Sequence, residues 1–234
     1  MLREHLGGVI PGERDFRWRG TEISRLEGFS DAVFAFAITL LVVSLEVPRT
    51  FHELMEAMRG FFPFAICFAL ITQLWFQHYR YFRRYGLQTP LAVMLNCVLL
   101  FFVLFYVYPL KFLFVNLFGG NAITASEVRT LFVIYGLGYA AMFLTMGALY
   151  FHAWRLRCEL ELNAVEEMRT RHAMANQVVM AAFGIASALL AVTLPARVVG
   201  LAGYFYTLVG VYFTIAGTVF GKRERQLAES GKAA

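Results

Sequence analysis

Charged residues are scarce in this sequence. Asp, Glu, Lys and Arg together make up 16% of the 234 residues, whereas hydrophobic residues make up 59%. An ordinary globular domain contains about 25% charged and about 45–50% apolar residues. Folded as a soluble globule, this chain would expose several spans' worth of apolar surface, so its composition predicts an integral membrane protein.

Cysteine is also rare, and familiar catalytic motifs are missing. Cys67, Cys97 and Cys158 are odd in number and far apart, a pattern that fits neither a disulfide framework nor a zinc site. The N-terminal residues 1–28 carry charges of both signs and lack the apolar core of a secretory signal. Because the sequence has no nucleophile elbow, phosphate-binding loop or zinc-hydrolase motif, we expect neither an enzyme nor a bound cofactor.

Long apolar segments dominate the rest of the chain. Each is long enough to cross a bilayer as a helix, and prolines at positions 48, 90 and 195 mark boundaries, where the missing N–H costs least. We therefore expect an all-α, polytopic membrane protein with six transmembrane helices. The predicted spans are 29–47, 61–78, 90–112, 131–152, 173–194 and 198–221.

Lysine and arginine predict the orientation, because cytoplasmic loops carry more of both. Most of them lie in the N-terminal arm (1–28), the second and fourth connections, and the C-terminal tail (222–234). Both termini are therefore expected in the cytoplasm, and the net charge of +5 reflects this topology rather than a nucleic-acid partner. The polar, helix-favouring stretch 153–172 is expected to be a cytoplasmic extension. The opposite side holds Arg49, Arg59, Lys111, Arg129 and Arg197.

Polar residues at the start of the first span are unusual for a membrane helix. Ser30 and Asp31 lie near its cytoplasmic end. A carboxylate inside a span is costly and normally faces protein or water. Alternatively, either residue could cap the N-terminus of the helix, since both types are favoured there. The residues alone leave both interpretations open.

Helical periodicity separates this aspartate from an apolar face of the same span. At 3.6 residues per turn, Phe36, Leu40 and Val43 share one face with Thr39 at its edge, and Asp31 points nearly the opposite way, towards neighbouring helices. The apolar face could line a passage or simply pack against lipid or another span.

A few polar residues in the next two spans lie at the same depth as Asp31. His78 ends the second span and Asn96 lies early in the third. Together the three could form one hydrogen-bonded cluster that offsets burial of the acid. Taken singly, His78 could instead be an interfacial histidine and Trp75 an aromatic-belt residue.

These residues resemble the signature of the transmembrane protein 175 family, which comprises the endosomal and lysosomal potassium channel and its prokaryotic relatives. The matching elements are the motif Arg25-x-x-x-Phe29-Ser30-Asp31, the pair Trp75-x-x-His78 and the dipeptide Leu95-Asn96. A single six-span unit is similar to the prokaryotic members, in which four subunits surround one pore. The resemblance therefore implies a homotetramer in a prokaryotic cell membrane, with the lipid bilayer and potassium ions as its partners.

The resemblance also implies roles for individual residues. The segment 29–221 would be the channel domain, with the first span of each subunit lining the pore. Phe36 falls where the family places a branched aliphatic residue at the narrowest ring, with Thr39, Leu40 and Val43 in further pore-lining layers. The residues implied to form a structural network that holds this helix are Arg25, Phe29, Ser30, Asp31, Trp75, His78 and Asn96.

The resemblance implies a hydrophobic constriction, which would gate by dewetting. The chain has no TVGYG loop of the kind that forms a carbonyl filter. Two other functions stay open. A secondary transporter would normally show paired repeats and broken helices, which this sequence does not clearly show. A membrane redox protein could use His78, His152 and His172 as ligands.

Overall fold

A computed structural model describes residues 16–20, 22–43, 49–59, 61–119 and 124–195, together with 198, 203, 206, 208, 209 and 212. These residues form helices joined by short connections, and no strand occurs among them. In chain order the helices are α1 (Arg25–Val43), α2 (Phe51–Arg59), α3 (Phe61–Tyr85), α4 (Pro90–Gly119), α5 (Ala125–Arg155) and α6 (Ala164–Thr193). The all-α class is confirmed.

Three segments of the described chain are long and apolar enough to cross a membrane. They are Pro90–Phe112, Ser126–Arg155 and Ala164–Thr193. The first has the bounds predicted from the sequence. The second extends the predicted fourth span (131–152) at both ends, and the third begins before the predicted fifth span (173–194). Most of the predicted sixth span (198–221) and the whole tail (222–234) lie outside the described residues. The count of six spans therefore stays a prediction.

Side-chain caps explain where the later helices begin. Thr124 and Asn163 each form a capping box with the glutamate three residues on, Glu127 and Glu166, which satisfies backbone N–H groups that a helix start leaves free. The helix-favouring stretch 153–172 is not helical throughout, because α6 begins only after the cap at Asn163. Residues 156–161 form turns, with Glu161 at a positive φ of 50°, before α6 begins.

The short helix α2 was missed in the sequence analysis. Its large apolar residues Phe51, Leu54, Met55 and Met58 follow the spacing i, i+3, i+4, i+7 and are all exposed. That spacing is typical of an amphipathic helix, so it could have been read from the sequence. The predicted first connection therefore contains helical structure.

Helices α5 and α6 pack closely against each other. Gly136 of α5 and Gly184 of α6 allow direct contact, since a Cβ on either would collide with the carbonyl oxygen of the other. Helix α1 buries Phe34, Ala37 and Leu41 in a hydrophobic core that it shares with α3 and α4. This core leaves one side of α1 uncovered.

Candidate functional site

A capping box starts α1, one turn before the polar motif. Ser24 Oγ accepts from the N–H of Glu27 at 3.1 Å, and Glu27 Oε2 accepts from the N–H of Ser24 at 2.9 Å. The helix N-terminus is therefore capped by Ser24, and the alternative in which Ser30 or Asp31 caps it is wrong. The spacing Ser24-x-x-Glu27 is the usual sequence signal for such a cap, and the sequence analysis overlooked it.

Ser30, Asn96 and His78 form a buried hydrogen-bonded chain across three helices. Ser30 Oγ donates to the carbonyl oxygen of Leu26 at 2.7 Å and accepts from Asn96 Nδ2 at 2.9 Å. Asn96 Oδ1 lies 2.7 Å from His78 Nε2, and because an amide oxygen only accepts, His78 donates there. All three side chains are at most 1% exposed. The chain joins α1 to α3 and α4, with Ser30 in the place where the sequence analysis expected Asp31.

Asp31 is part of a separate contact. Its Oδ1 accepts from Trp75 Nε1 at 2.7 Å, and Asp31 is exposed rather than buried. The expected single cluster of Asp31, His78 and Asn96 is thus divided, because Ser30, one residue earlier and 100° round the helix, takes the inward position. Trp75 engages a specific partner on α1.

Arg25 and Phe29 do not join either group within the described protomer. Both are exposed, Phe29 by 55%, and they lie one turn apart on the uncovered side of α1. The seven residues implied by the resemblance therefore divide into three sets: a buried chain, an exposed Asp31–Trp75 pair, and two residues that face away from the protomer.

The predicted apolar face of α1 is the side that the protomer leaves uncovered. Phe36 is 57% exposed, Thr39 is exposed and Leu40 is partly buried, whereas Phe34 on the other side is 1% exposed. Thr39 Oγ1 donates to the carbonyl oxygen of Phe36 at 2.8 Å. Val43 lies in α1, but its side chain is outside the described part of the structure.

The arm before α1 is docked against the rest of the protein, which the sequence did not reveal. Arg19 forms an ion pair with Glu166 at 2.8 Å and donates from Nε to the carbonyl oxygen of Leu160 at 2.7 Å. The N–H of Arg17 donates to the same carboxylate at 2.7 Å. Phe16 is buried with its ring edge-on to Tyr85. Residues 16–20 thereby connect the α5–α6 turn to the start of α1.

Glycines allow this arm to pass close to the end of α3. The N–H of Gly20 donates to the carbonyl oxygen of Arg83 at 3.1 Å, and the Arg83 guanidinium donates back to the Gly20 carbonyl at 2.9 Å. Gly86, at a φ of +60°, packs against the backbone of Arg19 and Gly20. A side chain at Gly20 would collide with the carbonyl oxygen of Phe82, and one at Gly86 would crowd the Arg19 backbone and be strained at a positive φ.

Two of the three histidines considered for a redox site bond to neighbouring side chains. His78 pairs with Asn96, and His152 Nε2 lies 2.7 Å from Thr89 Oγ1. Across the described residues, no group of three or more His, Cys, Asp and Glu side chains is placed to hold a metal ion.

Comparison with known proteins identifies close relatives. A family model described as the endosomal/lysosomal potassium channel TMEM175 matches residues 25–106, which include the motif, Trp75, His78 and Asn96. A potassium channel of Marivirga tractuosa is 37% identical over 246 residues, covering 97% of this chain and 100% of the relative. A potassium channel of Chamaesiphon minutus is 30% identical over 58% of this chain and 66% of the relative.

Two solved structures of TMEM175 channels are also similar to this chain. The crystal structure of a variant of the potassium channel MtTMEM175, bound to a nanobody fusion, superposes with a TM-score of 0.79 at 36% identity. It covers 92% of this chain and 99% of the other. The crystal structure of a lysosomal potassium-selective channel TMEM175 homologue from Chamaesiphon minutus gives a TM-score of 0.50 at 27% identity, over 78% and 95% of the two chains.

Proposed function

The chain belongs to the TMEM175 family of potassium channels, and we propose that it conducts potassium ions through a pore lined by α1 of each subunit. The assembly is a homotetramer in a prokaryotic cell membrane, and K⁺ is the permeant ion. Six spans place both termini in the cytoplasm. The protein needs no cofactor, and it is neither an enzyme nor a nucleic-acid-binding protein.

The uncovered side of α1 carries this proposal. Phe29, Phe36 and Thr39 face away from the protomer, while the opposite side of the same helix is buried and hydrogen-bonded to α3 and α4. Because one side of α1 packs against its own protomer and the other side is exposed, the exposed side is available to contact α1 of other subunits. Four copies around an axis would bring the Phe36 sides together.

Phe36 forms the narrowest ring in this proposal. Four phenylalanines would make a hydrophobic constriction, whose radius sets the barrier to a hydrated ion. Cation–π attraction is worth about 0.5–2 kcal/mol per contact, which is well below the cost of removing the hydration shell of an ion. Steric closure and dewetting are therefore the main effects of the rings.

Thr39 supplies a polar layer next to that ring. Its hydroxyl hydrogen is used in the bond to the Phe36 carbonyl, so the lone pairs of the oxygen are left to face a passing cation. Leu40 and Val43 would add apolar layers beyond it. The pore thus alternates apolar and oxygen-bearing surfaces along α1.

Bilayer recording of the purified, reconstituted protein tests the proposal. We expect single-channel steps with K⁺, and under bi-ionic K⁺ and Na⁺ conditions Phe36→Ala should increase cation current by about tenfold and weaken ion discrimination, because it widens the hydrophobic ring. Phe101→Ala is the matched control, since Phe101 is 63% exposed but lies on α4. Currents that Phe36→Ala leaves unchanged would remove this residue from the constriction. Saturable flux without unitary steps would favour a transporter.

A further inference from the structure

Lys111 is the one Lys, Arg, His, Asp or Glu residue within the span Pro90–Phe112. A charged side chain in a span is costly and normally has a specific partner and a functional role. It lies near the end of this span, two residues after Pro109 and next to Leu110, which is buried. Its partner is therefore informative.

One partner of the Lys111 ammonium is the backbone of α1. Lys111 Nζ donates to the carbonyl oxygen of Leu41 at 2.8 Å. Leu41 is 2% exposed, and the bond to its carbonyl oxygen is partly buried near the C-terminal end of α1. The bond joins α4 to the part of α1 that follows Phe36 and Thr39.

The electrostatics of a helix favour a cation at this place. The carbonyl oxygens of α1 point towards the end opposite the Ser30–Asp31 motif, and a positive charge near that end interacts favourably with the helix dipole. A side-chain ammonium that bonds to a backbone carbonyl also resists sliding or rotation of the helix. The contact is thus both attractive and directional.

A third helix meets α4 at the same level. Cys67 Sγ of α3 lies 3.9 Å from the carbonyl oxygen of Leu110, and Cys67 and Leu110 are each 1% exposed. Lys111 therefore extends from a packed α3–α4 contact to α1. The bond thus links α1 to helices that contact each other through the buried residues Cys67 and Leu110.

We propose that Lys111 is a positioning residue for conduction: its ammonium holds the Phe36–Val43 half of α1 against α3 and α4 and so sets the width of the pore there. This inference rests on the proposed function, since it matters for ion flow only if α1 lines the pore. Lys111 acts through the backbone of α1 and does not itself touch the ion.

Arg129 provides a matched control. Its Nε and one terminal nitrogen donate to the carbonyl oxygens of Ala191 and Leu194, each at 3.0 Å, at the C-terminal end of α6. Arg129→Met therefore removes a cation from helix-end carbonyls as Lys111→Met does, but from a helix that is not α1. Lys111→Arg keeps the charge and the donor.

Hydrogen–deuterium exchange of the full-length protein in liposomes tests the anchor itself. We expect Lys111→Met to speed amide exchange in residues 36–43 by about tenfold, since bonds to charged groups contribute on that scale, and to leave residues 25–34 unchanged. Lys111→Arg should restore slow exchange, and Arg129→Met should leave α1 as in the natural protein. Exchange in 36–43 that Lys111→Met does not alter would overturn the proposal.

Single-channel recording of the same variants tests the link to conduction. We expect Lys111→Met to raise unitary K⁺ conductance by about twofold or more, because the radius of a hydrophobic constriction sets the barrier, with rescue by Lys111→Arg and no effect of Arg129→Met. Faster exchange with unchanged conductance would overturn the positioning role. If the natural protein passes no K⁺ although Lys111→Met loosens residues 36–43, the proposed function fails and the anchor stands.

Discussion

The two ends of α1 are held to the protomer by different kinds of contact. The motif end, residues 24–31, has a capping box, the buried Ser30–Asn96–His78 chain and the Asp31–Trp75 bond. The far end, residues 36–43, has apolar packing through Ala37 and Leu41, and its described polar contact with the bundle is the bond from Lys111.

This difference indicates where α1 can move. Many buried hydrogen bonds resist small displacements because each bond has a preferred direction, whereas apolar contacts tolerate sliding. The far end also carries Phe36, the proposed constriction. A helix with one firmly bonded end and one lightly bonded end can change the width of a pore at the second end while its base stays in place.

Asn96→Ala should have the largest effect on stability, because it removes the central residue of the hydrogen-bonded chain at the motif end. His78 would lose its bond to Asn96 while staying buried, and Ser30 would keep only its bond to the Leu26 carbonyl. An unsatisfied buried group costs about 1–3 kcal/mol. We expect a loss of about 3 kcal/mol in the free energy of unfolding, seen as a lower melting temperature in detergent. Cys97→Ala, at the next and exposed position, is the control. A melting temperature equal to that of the natural protein would show that the network contributes little.

Glu166→Gln should have the next largest effect, because it weakens the arm that leads into the motif end. The buried carboxylate is 1% exposed and pairs with Arg19 at 2.8 Å. Loss of a largely buried partner leaves the other charge poorly compensated, and we expect a cost of about 2 kcal/mol. Faster proteolytic cleavage and amide exchange in residues 16–20 would report release of the arm.

An exposed ion pair in the same region is the control for that variant. Arg17 and Glu161 lie 3.8 Å apart with side chains 74% and 80% exposed, and such pairs contribute little to stability. We expect Glu161→Gln to behave like the natural protein. If Glu161→Gln released residues 16–20 as much as Glu166→Gln, general charge in the turn would hold the arm, not the buried pair.

Much of the motif end was predictable because its residues repeat with helical spacing. The shared depth of Asp31, His78 and Asn96 was predicted from where each lies along its span, but the buried position on α1 belongs to Ser30 and not to Asp31. Periodicity gives the direction of a side chain from its own helix but not which neighbour it meets. For that reason the sequence could not show that Ser30 bonds to Asn96 while Asp31 bonds to Trp75.

The contacts that were missed join distant parts of the chain. Arg19 and Glu166 are 147 positions apart, and Lys111 and Leu41 are 70 apart. In the sequence, Lys111 is one of several basic residues assigned to the non-cytoplasmic side, and Arg19 is one of several in the arm. Local patterns could have revealed the Ser24-x-x-Glu27 cap and helix α2, whereas docking of the arm depends on tertiary structure alone.

Asp31→Ala should have the smallest effect on stability, and it sharpens the distinction between the two ends. Asp31 is exposed and accepts one hydrogen bond from Trp75, so we expect a loss of about 1 kcal/mol. The yield of the proposed tetramer, measured by size-exclusion chromatography with light scattering, should fall. The bi-ionic reversal potential of the remaining channels should stay unchanged, since Asp31 lies at the motif end and turns away from the Phe36 side.

Trp75→Phe separates the bond from the packing in this last case. It removes the indole donor to Asp31 but keeps an aromatic ring at the position that stacks on Tyr79, with ring centroids 5.8 Å apart. The same fall in tetramer yield would assign the effect to the hydrogen bond. Intact tetramers with a shifted reversal potential in Asp31→Ala would instead place this carboxylate in the ion pathway. Both ends of α1 would then face the permeant ion, and the division between a fixed base and a variable constriction would no longer hold.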